Sequence, residues 1–226
     1  MNAWREHSHI LHEVNLEVAP GEAVAIVGRN GVGKTTLVES ILQMGPRIEG
    51  VVEYGENRLD QISTSDMAYL GIALVPQGRR LFESLSVQEH LDLARRVADS
   101  DRREHIFDMF PILRQRASSP APSLSGGERS MLAIARALLT EPNLVLMDEP
   151  TEGLAPILVA KICDSLIQMK QVGLSILLVE QSLDVALAVS DRLLIMDRGT
   201  IVEEFSDHDA LELEEISRLI VLGRSG

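Results

Sequence analysis

A glycine-rich stretch near the N-terminus has the spacing of a phosphate-binding loop. It reads Gly28-Arg29-Asn30-Gly31-Val32-Gly33-Lys34-Thr35-Thr36 and fits the pattern G-x-x-x-x-G-K-[ST]. Glycines let consecutive backbone N–H groups turn inward around a polyphosphate. Lys34 adds a mobile positive charge for the β- and γ-phosphate oxygens, and the Thr35 hydroxyl is suited to ligate Mg²⁺. The stretch therefore predicts a site for a nucleoside triphosphate and its metal ion.

A second group is the acidic pair Asp148 and Glu149, which follows the apolar run 144–147. Such a run predicts a buried strand that carries its carboxylates to its C-terminal tip, where open parallel sheets bind ligands. We expect Asp148 to hold Mg²⁺ through water and Glu149 to orient or deprotonate the attacking water. Taken alone, the pair also fits a solvated strand end, so the assignment depends on the phosphate-binding stretch.

Composition and charge exclude several classes of protein. The 226 residues, 45% of them apolar, allow one α/β domain with an added lobe. No apolar run approaches the roughly 18 residues that span a bilayer, and no signal sequence opens the chain. The single cysteine, Cys163, rules out an internal disulfide framework and suits a reducing cytosol. The net charge of −13 argues against nucleic acid or anionic lipid as a direct partner.

The elements that must position these residues alternate as in a parallel α/β sheet. The predicted strands are 22–27, 51–54 (with a turn at 55–57), 72–75, 144–148, 175–180 and 192–197. The predicted helices are 34–44, 87–97, 102–110, one after Gly127, 156–171, 183–189 and an amphipathic C-terminal helix at 207–222. A helical stretch from about 84 to 127 interrupts the alternation. We therefore predict one domain, 1–226, with a helical lobe.

A third motif, the signature Leu124-Ser125-Gly126-Gly127-Glu128, lies shortly before the acidic strand. With the two groups above, it resembles the ATP-binding subunits of ABC (ATP-binding cassette) transporters over essentially the whole chain. That resemblance implies a P-loop ABC ATPase fold with a mainly parallel sheet, an antiparallel β subdomain and a helical lobe. It also implies that Ser125, Gly126 and Gly127 grip the ATP held by a second ATPase subunit. Gln77 matches the glutamine that senses Mg²⁺ and the γ-phosphate.

Three further stretches narrow the resemblance. They are Val75-Pro76-Gln77-Gly78-Arg79-Arg80-Leu81-Phe82, Glu149-Pro150-Thr151-Glu152-Gly153-Leu154-Ala155-Pro156 and Leu178-Val179-Glu180-Gln181. They look like the second of the two ATPases of importers for branched-chain amino acids. This implies integral membrane permease subunits that meet residues 78–82, a second ATPase subunit, the same or a sister, and, indirectly, a periplasmic or extracellular solute-binding protein. It also implies a peripheral place on the cytoplasmic face of the cell (inner) membrane.

Three positions depart from the family pattern. Gln181 stands at the switch position, usually His; a glutamine hydrogen-bonds a phosphate oxygen or water but does not take a proton near neutral pH. Ala155 stands where an Asp usually faces the opposite phosphate loop. The chain also starts late relative to the family, so that Trp4 is the nearby candidate for stacking on adenine and Arg5 falls at the aromatic's own position.

Other functions remain open at this stage. Importers for urea and amides share much of the pattern. An export ATPase of the lipopolysaccharide type also has a signature ending in Glu, although Gln181 and the segment 152–156 argue against it. Soluble ABC ATPases of DNA or ribosome metabolism generally carry a coiled-coil insertion, tandem cassettes or a basic surface, which this sequence lacks. A small-molecule kinase would leave the motif at 124–128 unexplained.

Overall fold

The strands form three sheets in a computed structural model that describes residues 1–94 and 100–206. In chain order they are β1 (Asn2–Arg5), β2 (Ser8–Leu11), β3 (Ala23–Val27), β4 (Arg47–Glu49), β5 (Glu53–Tyr54), β6 (Asn57–Arg58), β7 (Ile72–Val75), β8 (Leu144–Asp148), β9 (Ser175–Glu180), β10 (Arg192–Asp197) and β11 (Thr200–Phe205).

The central sheet has the order β11-β10-β3-β9-β8-β7. From β10 to β7 the neighbouring strands run parallel, and β11 pairs antiparallel with β10. All residues of β3 and β9 are buried, as expected for strands covered on both faces. Because side chains alternate along a strand, Ala23, Ala25 and Val27 face one hydrophobic core while Val24 and Ile26 face another.

The helices cover both faces of this sheet. In chain order they are α1 (Lys34–Ile41), α2 (Thr64–Met67), α3 (Val87–Leu93), α4 (Ser100–Met109), α5 (Pro111–Gln115), α6 (Gly126–Leu138), α7 (Pro156–Gln171) and α8 (Leu183–Val189). α6, α7 and α8 pack on one core, and α1 packs on the other together with β1 and β2. Within the described ranges, no helix is both long enough and apolar enough to cross a membrane.

The antiparallel subdomain consists of a three-stranded sheet, order β2-β1-β4, and the hairpin β5–β6. The predicted hairpin is therefore present, with Gly55 in the left-handed region (φ 58°) at its turn. α3, α4 and α5 occupy the predicted helical lobe. The expected fold class, a mainly parallel core with an antiparallel subdomain and a helical lobe, is confirmed.

Two helix boundaries differ from the predictions. The first helix ends at Ile41 instead of 44, because Gln43 takes a left-handed conformation (φ 54°) and Gly45 follows at φ 111°. The helix that opens the lobe begins after a capping box of Ser86 and Glu89 and ends at Leu93. Residues 95–97 of that predicted helix, and the predicted helix at 207–222, lie outside the described residues.

Candidate functional site: a phosphate loop facing three strand ends

Four strands of the central sheet end at one edge, and each end leads into a predicted site residue. β3 leads into Gly28, β8 ends in Asp148 before Glu149, β9 leads into Gln181, and β7 is followed at a distance of two residues by Gln77. Because β3, β9, β8 and β7 are parallel neighbours, their carboxyl ends meet at this edge. The sheet thus brings together residues that are far apart in the sequence.

The phosphate-binding stretch has a backbone that depends on glycine. Gly31 (φ 81°) and Gly33 (φ 114°) are in the left-handed region, and Gly33 directly precedes α1. A Cβ on Gly28 would lie 2.4 Å from the carbonyl oxygen of Met196, which leaves no room for a side chain. The loop ends at the N-terminus of α1, where free N–H groups and the helix dipole favour an anion.

Lys34 is buried at the centre of this loop. Its Nζ donates to the carbonyl oxygens of Gly28 (2.8 Å) and Arg29 (3.2 Å) and lies 3.1 Å from Oε1 of Glu149. The ammonium is therefore held by the loop itself and by the predicted catalytic carboxylate. A bound triphosphate would compete with Glu149 for this charge.

The side chain of Glu149 contacts the other two predicted catalytic residues, Gln77 and Gln181. Its side chain is buried, and its Oε2 accepts hydrogen bonds from Nε2 of Gln77 and Nε2 of Gln181, each at 2.9 Å. Its backbone lies in the left-handed region (φ 50°), which is uncommon for a residue with a side chain and occurs often at functional sites. Two amide donors and one ammonium thus converge on a single carboxylate.

Asp148 and Thr35 offer oxygen ligands for Mg²⁺. Asp148 is 3% exposed, and its Oδ1 is one of the few buried polar atoms of the described residues without a hydrogen-bond partner. Burial raises the pKa of Asp148, while a hydrogen bond with the Thr35 side chain lowers it and the charge of Glu149 raises it further. A carboxylate and a hydroxyl side by side, with a free carboxylate oxygen, fit a hard cation that takes oxygen ligands.

The signature residues lie on the helical side of the molecule, at the start of α6. Ser125 caps this helix: its hydroxyl accepts from the N–H of Glu128, and the Glu128 carboxylate accepts from the N–H of Ser125 (2.6 Å). A Cβ on Gly127 would lie 2.3 Å from Cδ1 of Leu158, so the second glycine allows α7 to pack closely. In the part of the chain that the structure describes, the hydrogen bonds of Ser125 stay within the first turn of α6 and do not reach the phosphate loop.

The structure brings Arg5, rather than Trp4, to the phosphate loop. The Trp4 ring is stacked on His9 (centroids 4.4 Å apart), and the guanidinium of Arg47 lies 4.2 Å from its centroid. Both contacts come from the strands that flank β1. Arg5 points to the other face of β1, where its Nε donates to Oγ1 of Thr36 (3.1 Å).

Two connections around Glu149 were not predicted from the sequence. Glu180, at the end of β9, accepts hydrogen bonds from Thr151. Arg79 donates to Oγ of Ser130 in α6 (2.6 Å) and to the backbone oxygen of Glu152 (2.9 Å). A sequence signal existed for Glu180, because it ends an apolar strand as Asp148 does; nothing in the sequence indicated the contacts of Arg79.

Comparison with known proteins defines the class to which this fold and site belong. The sequence pattern of the ABC transporter family matches residues 11–152, more than half of the chain. Solved ATP-binding cassettes share the fold: one in its ADP conformation has 27% identity and a TM-score of 0.75, covering 94% of this chain and 89% of that one. A dimeric cassette in a post-hydrolysis state with ADP and Pi has 25% identity and a TM-score of 0.79, covering 90% and 94%.

The chain belongs to the ABC transporter family and is an ATPase of that family. It is 38% identical to the high-affinity branched-chain amino acid transport ATP-binding protein BraG of Pseudomonas aeruginosa, over 85% of this chain and 84% of BraG. It is 34% identical to the probable branched-chain amino acid transport ATP-binding protein LivF of Archaeoglobus fulgidus, over 97% and 95%. The lipopolysaccharide export ATP-binding protein LptB of Escherichia coli is 31% identical, over 93% and 90%.

Proposed function

We propose that this ATPase powers the uptake of branched-chain amino acids. The observation that carries the proposal is the identity to BraG and LivF, 38% and 34%, with LivF matched over 97% of this chain. The lipopolysaccharide export ATP-binding protein LptB is less similar, at 31% identity. The glutamine at position 181 and the segment 152–156 also favour the importer over the exporter.

The residues of the site divide the work of hydrolysis among them. The backbone N–H groups of the loop 28–36 and the ammonium of Lys34 bind the outer phosphates. Glu149 orients a water molecule and accepts its proton. Gln77 and Gln181, whose amides now bond to Oε2 of Glu149, have the reach to hold that water or a phosphate oxygen.

Thr35 and Asp148, with Gln77, are the residues that would hold Mg²⁺. The ion, when bound, would offset the negative charge of the triphosphate. Burial raises the pKa of Asp148, so that a nearby cation stabilises the ionised form that the structure otherwise disfavours.

A groove next to Arg79 and Arg80 is suited to bind a permease subunit. A groove of about 420 Å³ lies between α2 and α6, and residues 79–80 form part of its wall. Met44, Met67 and Ala133 supply apolar surface, and Arg136 lines the same wall. Phe82, 54% exposed, lies near the Arg136 guanidinium (5.8 Å). We infer that a short permease helix docks there, which would hold the subunit at the cytoplasmic face of the inner membrane.

A second ATPase subunit, the same chain or a sister, would complete the site with Ser125, Gly126 and Gly127. The solved dimeric cassette supports pairing of this kind. A solute-binding protein outside the membrane would deliver the amino acid to the permeases and contact the ATPase only indirectly.

The test is solute-stimulated ATP hydrolysis by the complex with its permeases in lipid vesicles. Binding protein loaded with leucine, isoleucine or valine should stimulate turnover and drive uptake of the labelled amino acid, whereas urea should do neither. The Glu149→Gln complex is the matched control and should be silent with every solute. Stimulation by urea alone would move the protein to the amide and urea importers. Co-purification with a lipopolysaccharide-binding membrane complex would support the exporter.

A further inference from the structure

Glu180 is a buried carboxylate to which the reaction above gives no task. It ends β9 and is 2% exposed. Burial raises the pKa of Glu180, which hydrogen bonds from Thr151 and from the backbone of Gln181 partly offset. A buried carboxylate destabilises the fold unless hydrogen bonds or opposite charges compensate for its loss of water.

Glu180 accepts hydrogen bonds from two residues near Glu149: Thr151, which follows Glu149 in the chain, and Gln181, which contacts the Glu149 side chain. Its Oε1 accepts from the N–H (3.1 Å) and the hydroxyl (2.7 Å) of Thr151, two residues after Glu149. Its Oε2 accepts from the N–H of Gln181 at 3.1 Å. The side chain of Gln181 in turn donates to Oε2 of Glu149. One carboxylate therefore holds both the turn that leaves Glu149 and the residue that contacts its side chain.

The turn after Glu149 needs such an anchor. Glu149 has φ 50°, a conformation that costs free energy and persists only where neighbours hold it. Its N–H donates to the carbonyl of Val179 (2.8 Å), next to Glu180. Ala155, further along the same turn, caps α7 without a side-chain hydrogen bond and offers no carboxylate. Thr151 is thus a point at which side-chain hydrogen bonds fix this segment.

We propose that Glu180 is a positioning residue for ATP hydrolysis: it fixes Thr151 and Gln181 so that Glu149 and the Gln181 amide meet the same water. This inference rests on the proposed roles of Glu149 and Gln181. Glu180 itself does not touch the reacting atoms and acts through Gln181 and the turn.

Glu180→Gln separates its two tasks. A glutamine oxygen still accepts both bonds from Thr151, but its NH₂ group then faces the N–H of Gln181, donor against donor. Loss of a bond to a charged group predicts a fall in kcat of about tenfold or more, with KM for ATP near the wild-type value, because ATP contacts the phosphate loop and not Glu180. Thr151→Val, which removes one bond, should slow turnover, and Thr151→Ser, which keeps it, should restore the rate.

The decisive measurement is a double-mutant cycle of kcat. If Glu180 acts through Gln181, then Glu180→Gln adds little to the loss already caused by Gln181→Ala. A merely structural role of Glu180 predicts that the losses in kcat from the two single variants multiply in the double variant, and that result would overturn the proposal. A wild-type kcat for Glu180→Gln, or a rise in its KM for ATP without a fall in kcat, would overturn it as well. If Glu180→Gln does not fold, Thr151→Val against Thr151→Ser tests the contact of Glu180 with the turn, and equal turnover of these two variants would overturn the proposal. If Gln181→Ala has wild-type turnover, the proposed role of Gln181 is wrong. If Gln181→Ala is slow while Glu180→Gln has wild-type turnover, the role of Gln181 stands and only the inference about Glu180 is wrong.

Discussion

At the scale of single residues, the site is organised around one carboxylate. The ammonium of Lys34 lies on Oε1 of Glu149, while Gln77 and Gln181 share Oε2. In this arrangement both carboxylate oxygens of Glu149, which would accept a hydrogen bond from the attacking water, are already bound to side chains of the same protein. Binding of the triphosphate would draw Lys34 towards the phosphates and free Glu149 for water.

Glu149→Gln should therefore bind ATP but hydrolyse it about 10²–10⁴-fold more slowly, the range for loss of a positioned general base. It also removes a negative charge beside the outer phosphate, so that ATP should hold two subunits together on a sizing column. The control is Glu152→Gln, an exposed neighbour whose carboxylate accepts a longer hydrogen bond from Gln77 (3.3 Å). Equal rates for Glu149→Gln and Glu152→Gln would place the base elsewhere.

Gln181→Ala should lower turnover and leave ATP affinity nearly unchanged, because the amide is needed in the reacting state. Gln181→His should keep activity and acquire a pH dependence at about 6–7, where only the imidazole titrates. Turnover measured against pH for the three proteins decides this. Superimposable profiles for Gln181→Ala and the wild type would make the residue a bystander.

Variants of Arg5 and Trp4 can be compared to test which of the two residues contributes to nucleotide binding. Arg5→Ala removes the hydrogen bond to Thr36 and should weaken ATP binding about fivefold, the value of one hydrogen bond. Trp4→Ala should leave the affinity unchanged, since its ring is engaged with His9 and Arg47. Nucleotide titration of the two variants checks this. A larger loss for Trp4→Ala would return the adenine contact to the tryptophan.

At the scale of elements, the contact of α6 with α7 sets where the signature lies. Gly127→Ala should destabilise the fold by about 1–3 kcal/mol, because the new Cβ meets Leu158 at 2.3 Å. Gly126→Ala is the control, since its Cβ would have an ordinary contact of 3.4 Å with Leu154. Denaturant unfolding compares them. Equal stabilities would show that α7 yields without loss.

The main strands of the central sheet and the phosphate loop could be predicted because each carries a local signal. Strands such as 144–148 and 175–180 are continuous apolar runs, and glycine spacing marks the phosphate loop. β1 and β4 were not predicted, since they are three or four residues long and rich in polar side chains. β11 was not predicted either, because it lacks a continuous apolar run; every position along it is partly or fully exposed.

The contacts around Glu149 could be predicted only in part. The resemblance to ABC ATPases implies that Gln77, Glu149 and Gln181 belong to one site. It does not indicate that Glu180 bonds to Thr151, because that contact depends on the register of β8 against β9 and on the turn that leaves β8. The position of Trp4 likewise depends on which face of β1 it takes, and cross-strand pairing with His9 and Arg47 decides that.

At the scale of the whole molecule, we propose that each ATP site is formed by the phosphate loop of one subunit and the signature of the other. Ser125→Arg should therefore leave ATP binding by one subunit intact and stop turnover, while Lys34→Ala should stop turnover by weakening the phosphate contacts. Mixing the two inactive variants should restore part of the activity, because one of the two shared sites then has an intact loop and an intact signature. A mixture that stays inactive, with both variants folded by thermal unfolding, would place the whole site within one chain.

Ser125 caps α6 of its own chain, and the proposed sharing of each ATP site between two subunits has a kinetic consequence. A subunit alone in solution would need a partner before it could turn over, so its specific activity should fall as it is diluted. Two subunits tethered to the same pair of permeases meet at an effective concentration in the millimolar range for short tethers. Subunits that are not bound to a permease would then hydrolyse ATP slowly, so they would consume little of the ATP in the cell.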